Sequence, residues 1–194
     1  MQVYQSKSSE VQLFLVDNFL SPEECSSLIE IGRSSLRPST VTNAEAGSDF
    51  RTSETCDIGI IQNPLVQAVS ERISSATGIS LEYAEVMQMQ KYSVGHEFKS
   101  HTDYFEPNTP EYIEHASVRG NRTWTCMIYL NPVEQGGETL FSSIKELITP
   151  KMGRAVIWNN LTLDGNVNPK TIHAGLPILQ GEKFILTTWF RQHA

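Results

Sequence analysis

From about residue 81 the sequence becomes a series of short strand-forming runs: "LEYAEVMQMQKY", "NRTWTCMIYL", "GETLF", "GRAVIWNN" and "EKFILTTWFR", separated by Gly, Pro and Asn. Runs this short cannot bury an apolar face alone and must pair into sheets. Many of them after a small helical preface predict a sandwich or double-sheet barrel, with the helices packed outside one sheet. The preface supplies two helices. In "LSPEECSSLIEIG" Ser21 is placed to cap, Pro22 occupies the first helical position, Glu24 completes a capping box and Gly32 offers an exit. In "NPLVQAVSERISSATG" Asn63 and Pro64 open a helix, Leu65, Val69 and Ile73 form its apolar stripe, and Gly78 closes it.

The chain of 194 residues is long enough for one well-buried core and would crowd two, so 1–194 is read as a single domain. No run reaches the roughly 18 consecutive apolar residues a bilayer span needs. The first twenty residues lack a basic start, an apolar core and a small-residue cleavage site. The expectation is a cytoplasmic protein with no membrane partner. Cys25, Cys56 and Cys126 are widely spaced, without a CxxC pair, which suits isolated packing thiols in a reducing compartment. A net charge of −7 argues against nucleic acid, whose grip is built from Lys and Arg on phosphates, and permits a basic peptide or a small polar substrate. Oligomeric state is not legible.

Two stretches read as loops. Residues 41–57 are polar and follow neither period, and residues 106–121 separate "GHEFKSHTDYF" from the next strand. Each is either a lid closing over substrate or passive surface.

Within "GHEFKSHTDYF", His101 and Asp103 stand two apart, so on a strand they point to one face while Thr102 points away. Far downstream, "TIHAGLP" puts His173 near the end of another predicted strand. Two imidazoles and one carboxylate with the remaining positions open form the facial arrangement of non-haem Fe(II) oxygenases. No HExxH helix, thiolate cluster or calcium loop offers a simpler metal site. His96 falls on the opposite strand face, and His115 and His193 lie in a loop and the terminal tail, so none of the three is chosen as a ligand.

In "GEKFILTTWFR", Lys183, Ile185, Thr187, Trp189 and Arg191 share a strand face. An inward Lys183 ammonium is too costly to bury alone, and a dicarboxylate whose other end sits on the metal would pair with it. Trp189 shares that inward parity and is placed at the border of the substrate cavity. Thr125 and Tyr129 fall on one face of "TWTCMIY" and are placed in the cavity wall, with Trp124, Cys126 and Ile128 facing other core elements. The paired glycines of "EQGGETLF" permit a tight turn at the barrel mouth and lack the context of a phosphate loop.

Taken together and in order, these motifs resemble the prolyl 4-hydroxylase branch of the 2-oxoglutarate and Fe(II)-dependent dioxygenases. "YSVGHEFKSHTDYF" is similar to its first metal motif and "GNRTWTCMIYLNPVEQGGETLF" to its central strand, turn and strand. "PKMGRAVIWNN" and "TIHAGLPILQGEKFILTTWF" are similar to its closing segments. The likeness covers roughly residues 51–191. It implies a mainly β chain with flanking helices, a double-stranded β-helix of the jelly-roll, cupin-like type, with the catalytic core mainly 81–191.

The resemblance also implies that His101, Asp103 and His173 hold Fe(II), that Lys183 pairs with the distal carboxylate of 2-oxoglutarate, and that Tyr92 and Thr187 line or hydrogen-bond the cosubstrate pocket. "FRTSETCD" is similar to the family's segment near the substrate entrance and gives Arg51 a place there. The implied reaction is hydroxylation of an unactivated carbon with O2 as the second cosubstrate and ascorbate as reductant. Because Asp103 keeps the carboxylate that related halogenating enzymes lack, hydroxylation is preferred. Prolyl 4-hydroxylation of a peptide or protein is the leading expectation. Oxidation of a free amino acid or other small metabolite, and a non-catalytic jelly-roll binding module, are the alternatives.

Overall fold

The computed structural model describes residues 2–40 and 50–194. Fourteen strands follow one another among these residues: β1 (Gln2–Gln5), β2 (Leu13–Asp17), β3 (Arg37–Pro38), β4 (Glu54–Cys56), β5 (Gln88–Tyr92), β6 (Phe98–His101), β7 (Arg122–Tyr129), β8 (Gln135–Gly136), β9 (Thr139–Phe141), β10 (Glu146–Ile148), β11 (Ala155–Asn159), β12 (His173–Gly175), β13 (Ile178–Gln180) and β14 (Lys183–Arg191). Three helices interrupt them: α1 (Pro22–Arg33), α2 (Pro64–Thr77) and α3 (Pro110–Ala116).

The strands form an antiparallel sheet of eight, ordered β1-β2-β11-β7-β14-β5-β4-β3, facing one of four, ordered β10-β9-β12-β6, with β13 and β8 as a separate pair. This is the double-stranded β-helix expected. Alternation along the central strands decides what each face of the large sheet meets. Cys126 and Ile128 of β7, Phe184, Leu186 and Phe190 of β14, and Met89 of β5 pack outward against Leu28 of α1 and Val66, Val69 and Ile73 of α2. Tyr92, Met127, Tyr129, Val156 and Ile185 point the other way, toward Phe141 and Trp158. With both faces covered, every residue of β14 is buried. Among the described residues no helix is long and apolar enough to cross a membrane.

The helix caps form as the sequence predicts. Glu24 N–H donates to Ser21 Oγ (3.2 Å), Ser21 N–H donates to Glu24 Oε2 (2.8 Å), and Leu65 N–H donates to Asn63 Oδ1 (2.8 Å). Gly78 ends α2 in the left-handed region at φ 71°. Gly32 differs from expectation: it lies inside α1, not at its exit. A Cβ there would press on the end of the Met89 side chain of β5, so this glycine leaves room for that side chain.

Three further expectations change. Leu81–Tyr83 form a short 3-10 turn and the strand begins only at Gln88. In the stretch read as a loop over 41–57, Glu54–Cys56 pair with β5 and form β4, while residues 41–49 lie outside the described residues. In the stretch read as a loop over 106–121, Pro110–Ala116 are helical, with Thr109 Oγ1 accepting from Tyr112 N–H at 3.1 Å. The Thr-Pro-Glu opening of α3 is the same signal that marks α1.

Candidate metal centre

His101, Asp103 and His173 converge, with their candidate ligand atoms all within 4.8 Å of one another. The two histidines are cross-strand partners: His101 ends β6 and His173 opens β12, directly opposite it. Alternation predicted that Asp103 shares a strand with His101, but β6 ends at His101. Asp103 lies in the bend just past the end of β6 and reaches the same point because the chain turns there.

Each imidazole is held by the same local bond. Nδ1 of His101 contacts Lys99 O at 2.8 Å and Nδ1 of His173 contacts Thr171 O at 2.9 Å. A carbonyl only accepts, so both Nδ1 atoms carry a proton, and both Nε2 atoms turn to the centre. These Nε2 atoms stand 3.7 Å (His101) and 4.0 Å (His173) from Asp103 Oδ1, beyond hydrogen-bond length. Burial, followed by the neighbouring His173, drives His101 down to about 3, so its ring is neutral at ordinary pH. Burial pushes the Asp103 carboxyl up, but His173, His101, Arg122 and the Thr125 hydroxyl together outweigh it and hold the acid below its usual range. Two imidazole nitrogens and one carboxylate oxygen aimed at a common point fit an Fe(II)-type ion with positions left open.

An inner cavity beside this cluster is lined by His101, Asp103, His173, Tyr92, Lys183 and Thr187, and also by Arg51 and Trp189. Strand register explains the placement. Lys183 pairs with Tyr92 across β14 and β5, Thr187 with Met127 across β14 and β7, and Trp189 with Thr125. Lys183 is 2% exposed, and burial pushes its ammonium down to about 8 against the opposing pull of Glu138. Its Nζ donates to Gly137 O at 3.0 Å and sits 4.5 Å from the centre of the Tyr92 ring. Among the described residues no ion pair reaches it. An ammonium has three donors, so two remain for a ligand anion. The paired-glycine turn thus supplies this lysine's acceptor carbonyl, with Gly136 and Gly137 at φ 81° and 75°.

Thr187 Oγ1 donates to Gln90 Oε1 at 2.9 Å, Gln90 Nε2 donates to Gln88 Oε1 at 3.2 Å, and Gln88 Nε2 donates to Asp57 Oδ1 at 3.3 Å. The terminal carboxylate, which only accepts, sets the direction of this chain. Thr187 therefore commits its proton to Gln90 and offers the cavity lone pairs.

Thr125 and Tyr129, placed in the cavity wall on sequence parity, do not line it; both lie one layer behind. Thr125 is fully buried and its hydroxyl donates to Asp103 Oδ2 at 2.7 Å. Tyr129 is also fully buried, with its hydroxyl 2.7 Å from Oγ1 of Thr139, which does line the cavity. Inward parity was right, but Asp103 and Thr139 stand between these two side chains and the space.

Outside the inner cavity a cleft of about 560 Å³ opens over His101 and Asp103, bordered by Arg51, Arg122, Trp189 and, from α3, Glu111 and His115. Arg51 packs over Phe98, its guanidinium carbon 4.9 Å from the ring centre, and its Nε donates to Ser53 Oγ at 3.1 Å. Sequence reasoning missed Arg122. It grips Glu85 through Nε (2.7 Å) and Nη2 (2.8 Å), and its guanidinium covers the Trp189 ring at 4.1 Å. Arg191 adds a bond to Glu85 at 3.0 Å and donates to the His115 carbonyl, which ties α3 to β14. Glu85 lies just before β5, and no spacing rule connects it to Arg122. His96 and His193 stay outside both spaces.

A family model described as the 2OG-Fe(II) oxygenase superfamily matches residues 87–191. The chain is 32% identical to "Probable prolyl 4-hydroxylase 10" of Arabidopsis thaliana, over 96% of this chain and 71% of that protein. It is 30% identical to "Prolyl 4-hydroxylase subunit alpha-1" of Gallus gallus over 90% of this chain, and spans 34% of that subunit's length. Among solved structures, the viral collagen prolyl hydroxylase of Paramecium Bursaria Chlorella virus-1 in its 2OG complex superposes with a TM-score of 0.70 at 27% identity, covering 92% of this chain and 95% of that one. A Trichoplax adhaerens prolyl hydroxylase, solved with a hypoxia inducible factor peptide fragment, shares the fold with a TM-score of 0.69 at 15% identity, over 93% and 83% of the two chains.

Proposed function

The chain belongs to the 2OG-Fe(II) oxygenase superfamily, and from that premise we propose that it hydroxylates the 4-position of prolyl residues in a peptide or protein. Fe(II) is its metal, and 2-oxoglutarate and O2 are its cosubstrates. In this reading His101, Asp103 and His173 hold the iron, and Lys183 takes the distal carboxylate of 2-oxoglutarate. When bound, metal and cosubstrate supply the oxidation of an unactivated carbon, with 2-oxoglutarate converted to succinate and carbon dioxide.

The protein contributes position and exclusion. The carbonyls of Lys99 and Thr171 keep both imidazoles in the ligating tautomer. Lys183 gives charge where water is excluded, with the Tyr92 ring beneath its ammonium. Tyr92 and Thr187 border the cosubstrate, and Arg51 and Trp189 stand between it and the outer cleft. That cleft is the proposed seat of the peptide. A cytoplasmic location, a single domain over 1–194 and ascorbate as reductant belong to the same proposal.

The observation that carries it is the coincidence, in one cavity, of a three-ligand set and a buried ammonium whose hydrogen-bond acceptor among the described residues is a neutral carbonyl. The relatives named prolyl 4-hydroxylases support the choice of substrate. The test is oxygen-dependent succinate formation by the Fe(II)-loaded protein across proline-containing peptides, beside free proline and free lysine. Peptide-dependent turnover is expected. Turnover with the free amino acids alone would replace the peptide reading by that of a small-metabolite hydroxylase.

A further inference from the structure

Trp158, Asn160, Thr125 and Asp103 are joined end to end by hydrogen bonds and are 1%, 0%, 0% and 6% exposed. Trp158 Nε1 donates to Asn160 Oδ1 at 2.9 Å, Asn160 Nδ2 donates to Thr125 Oγ1 at 2.9 Å, and Thr125 Oγ1 donates to Asp103 Oδ2 at 2.7 Å. Only one direction is chemically possible. An indole N–H cannot accept, so Asn160 must turn its carbonyl to Trp158 and its amide nitrogen to Thr125. With that nitrogen donating to its oxygen, the Thr125 hydroxyl sends its own proton to the carboxylate. Bonds aligned in this way polarise one another in a buried, low-dielectric setting.

The two oxygens of Asp103 are thereby made unequal. Oδ2 is taken by Thr125, while Oδ1 faces Nε2 of His101 at 3.7 Å and of His173 at 4.0 Å. We propose that Trp158, Asn160 and Thr125 are positioning residues that leave Oδ1 as the single carboxylate oxygen offered to the metal. A carboxylate free to turn can bind a metal through one oxygen or both. A second oxygen on the metal would take one of the open positions that cosubstrate and O2 need.

Trp158 has a second connection to the site. Its ring meets the His173 ring edge-on, with centroids 5.0 Å apart and planes at 70°. One side chain of β11 therefore packs against the ligand of β12 and starts the chain that ends on the ligand beyond β6. Thr125 and Asn160 line neither space; Trp158 also borders the inner cavity, and the effect of all three on the metal passes through Asp103 and His173.

This inference rests on the reading of Asp103 as an iron ligand. The experiment compares the full chain with Thr125→Val, which keeps the shape and removes the hydroxyl, Thr125→Ser, which restores it, and Trp158→Phe, which keeps a ring against His173 and removes the N–H. Anaerobic Fe(II) affinity and the visible absorption of the Fe(II)–2-oxoglutarate complex are read, together with the ratio of succinate to hydroxylated product.

For Thr125→Val, Fe(II) binding about 10–100-fold weaker is expected, as for other groups that orient metal ligands. Its absorption band should shift and succinate should exceed product. Thr125→Ser should bind within about threefold of the wild type, a difference of under about 1 kcal/mol. Where Thr125→Val fails to fold, Trp158→Phe decides through Fe(II) affinity without cosubstrate: weaker binding supports the relay, and wild-type affinity overturns it. Thr125→Val with wild-type affinity, band and ratio overturns it as well. A wild type that binds no Fe(II) would instead bring down the iron site itself.

Discussion

His101 and His173 face each other across the β6–β12 ladder, with ring centroids 4.3 Å apart, and each holds its Nδ1 against the carbonyl two residues before it. Two histidines 72 positions apart in sequence are thus set by one repeated local bond and one register. That relationship organises the expected behaviour of the site.

His101→Ala removes one of three converging lone pairs and leaves the small sheet paired. Fe(II) affinity should fall by at least about 100-fold, or roughly 3 kcal/mol, and succinate formation should drop to background while the fold persists. Anaerobic calorimetry and circular dichroism on the same preparation measure both. Fe(II) affinity equal to that of the wild type would remove His101 from the ligand set.

Lys183 gives a pH dependence with a definite sign. Burial pushes its ammonium down to about 8, so in the protein without cosubstrate the charge is present below that pH and lost above it. A bound carboxylate favours the charged form, so the apparent affinity for 2-oxoglutarate should fall as pH rises through about 8, approaching tenfold per pH unit. Lys183→Met should weaken 2-oxoglutarate by about 30–150-fold, the worth of a charged hydrogen bond of about 2–3 kcal/mol, and abolish this slope. A wild-type affinity that is flat over that range would show that Lys183 does not pair with the cosubstrate.

Glu85 is the shared partner of Arg122 and Arg191. Glu85→Ala leaves two largely buried guanidinium groups without it, and breaking such a network costs about 3 kcal/mol. Denaturant unfolding should show that loss. Because Arg122 covers Trp189 at the cleft wall, the KM for peptide should rise more than the KM for 2-oxoglutarate. Unchanged stability would mean that water compensates the arginines.

Asp17 governs the acid limb of stability. The Arg154 hydrogen bond, opposed by burial and aided by Lys151, lowers its carboxyl from 3.8 to about 2. A depressed acid contributes stability that is fully present above its unfolded value near 3.8 and lost as pH falls through about 2. Because Lys151 is half exposed, the contribution is discounted for screening to about 1–2 kcal/mol. Asp17→Asn should lose that amount at neutral pH and show a flatter decline below pH about 4; an acid limb identical to that of the wild type would assign the acid sensitivity to other groups.

Much of this site was legible because its residues obey short-range rules. Period-two alternation put Lys183, Thr187 and Trp189 on one face of β14, and the structure has them lining one cavity. The caps of α1 and α2 were readable from Ser21 and Asn63. What escaped depends on tertiary closeness. Gly32 resembled a helix exit until β5 was seen beneath it, and Thr125 resembled a wall residue until Asp103 was found to intercept its hydroxyl. The Glu85–Arg122–Arg191 cluster joins residues from three separate segments, which no local pattern encodes. The strands β1 and β2 were missed because the short apolar run of β2 packs on both faces and shows no alternation, and β1 lies exposed at the sheet edge.

The proposed reaction is the transfer of oxygen to proline at the cost of 2-oxoglutarate. Its most direct measurement supplies isotopically labelled O2 to the Fe(II)-loaded protein with a proline-containing peptide and 2-oxoglutarate, then quantifies succinate and maps the label by mass spectrometry. Equal amounts of succinate and hydroxylated peptide are expected, with one labelled oxygen on a prolyl ring. A protein that binds Fe(II) and 2-oxoglutarate yet forms succinate with no label in any peptide residue would contradict it.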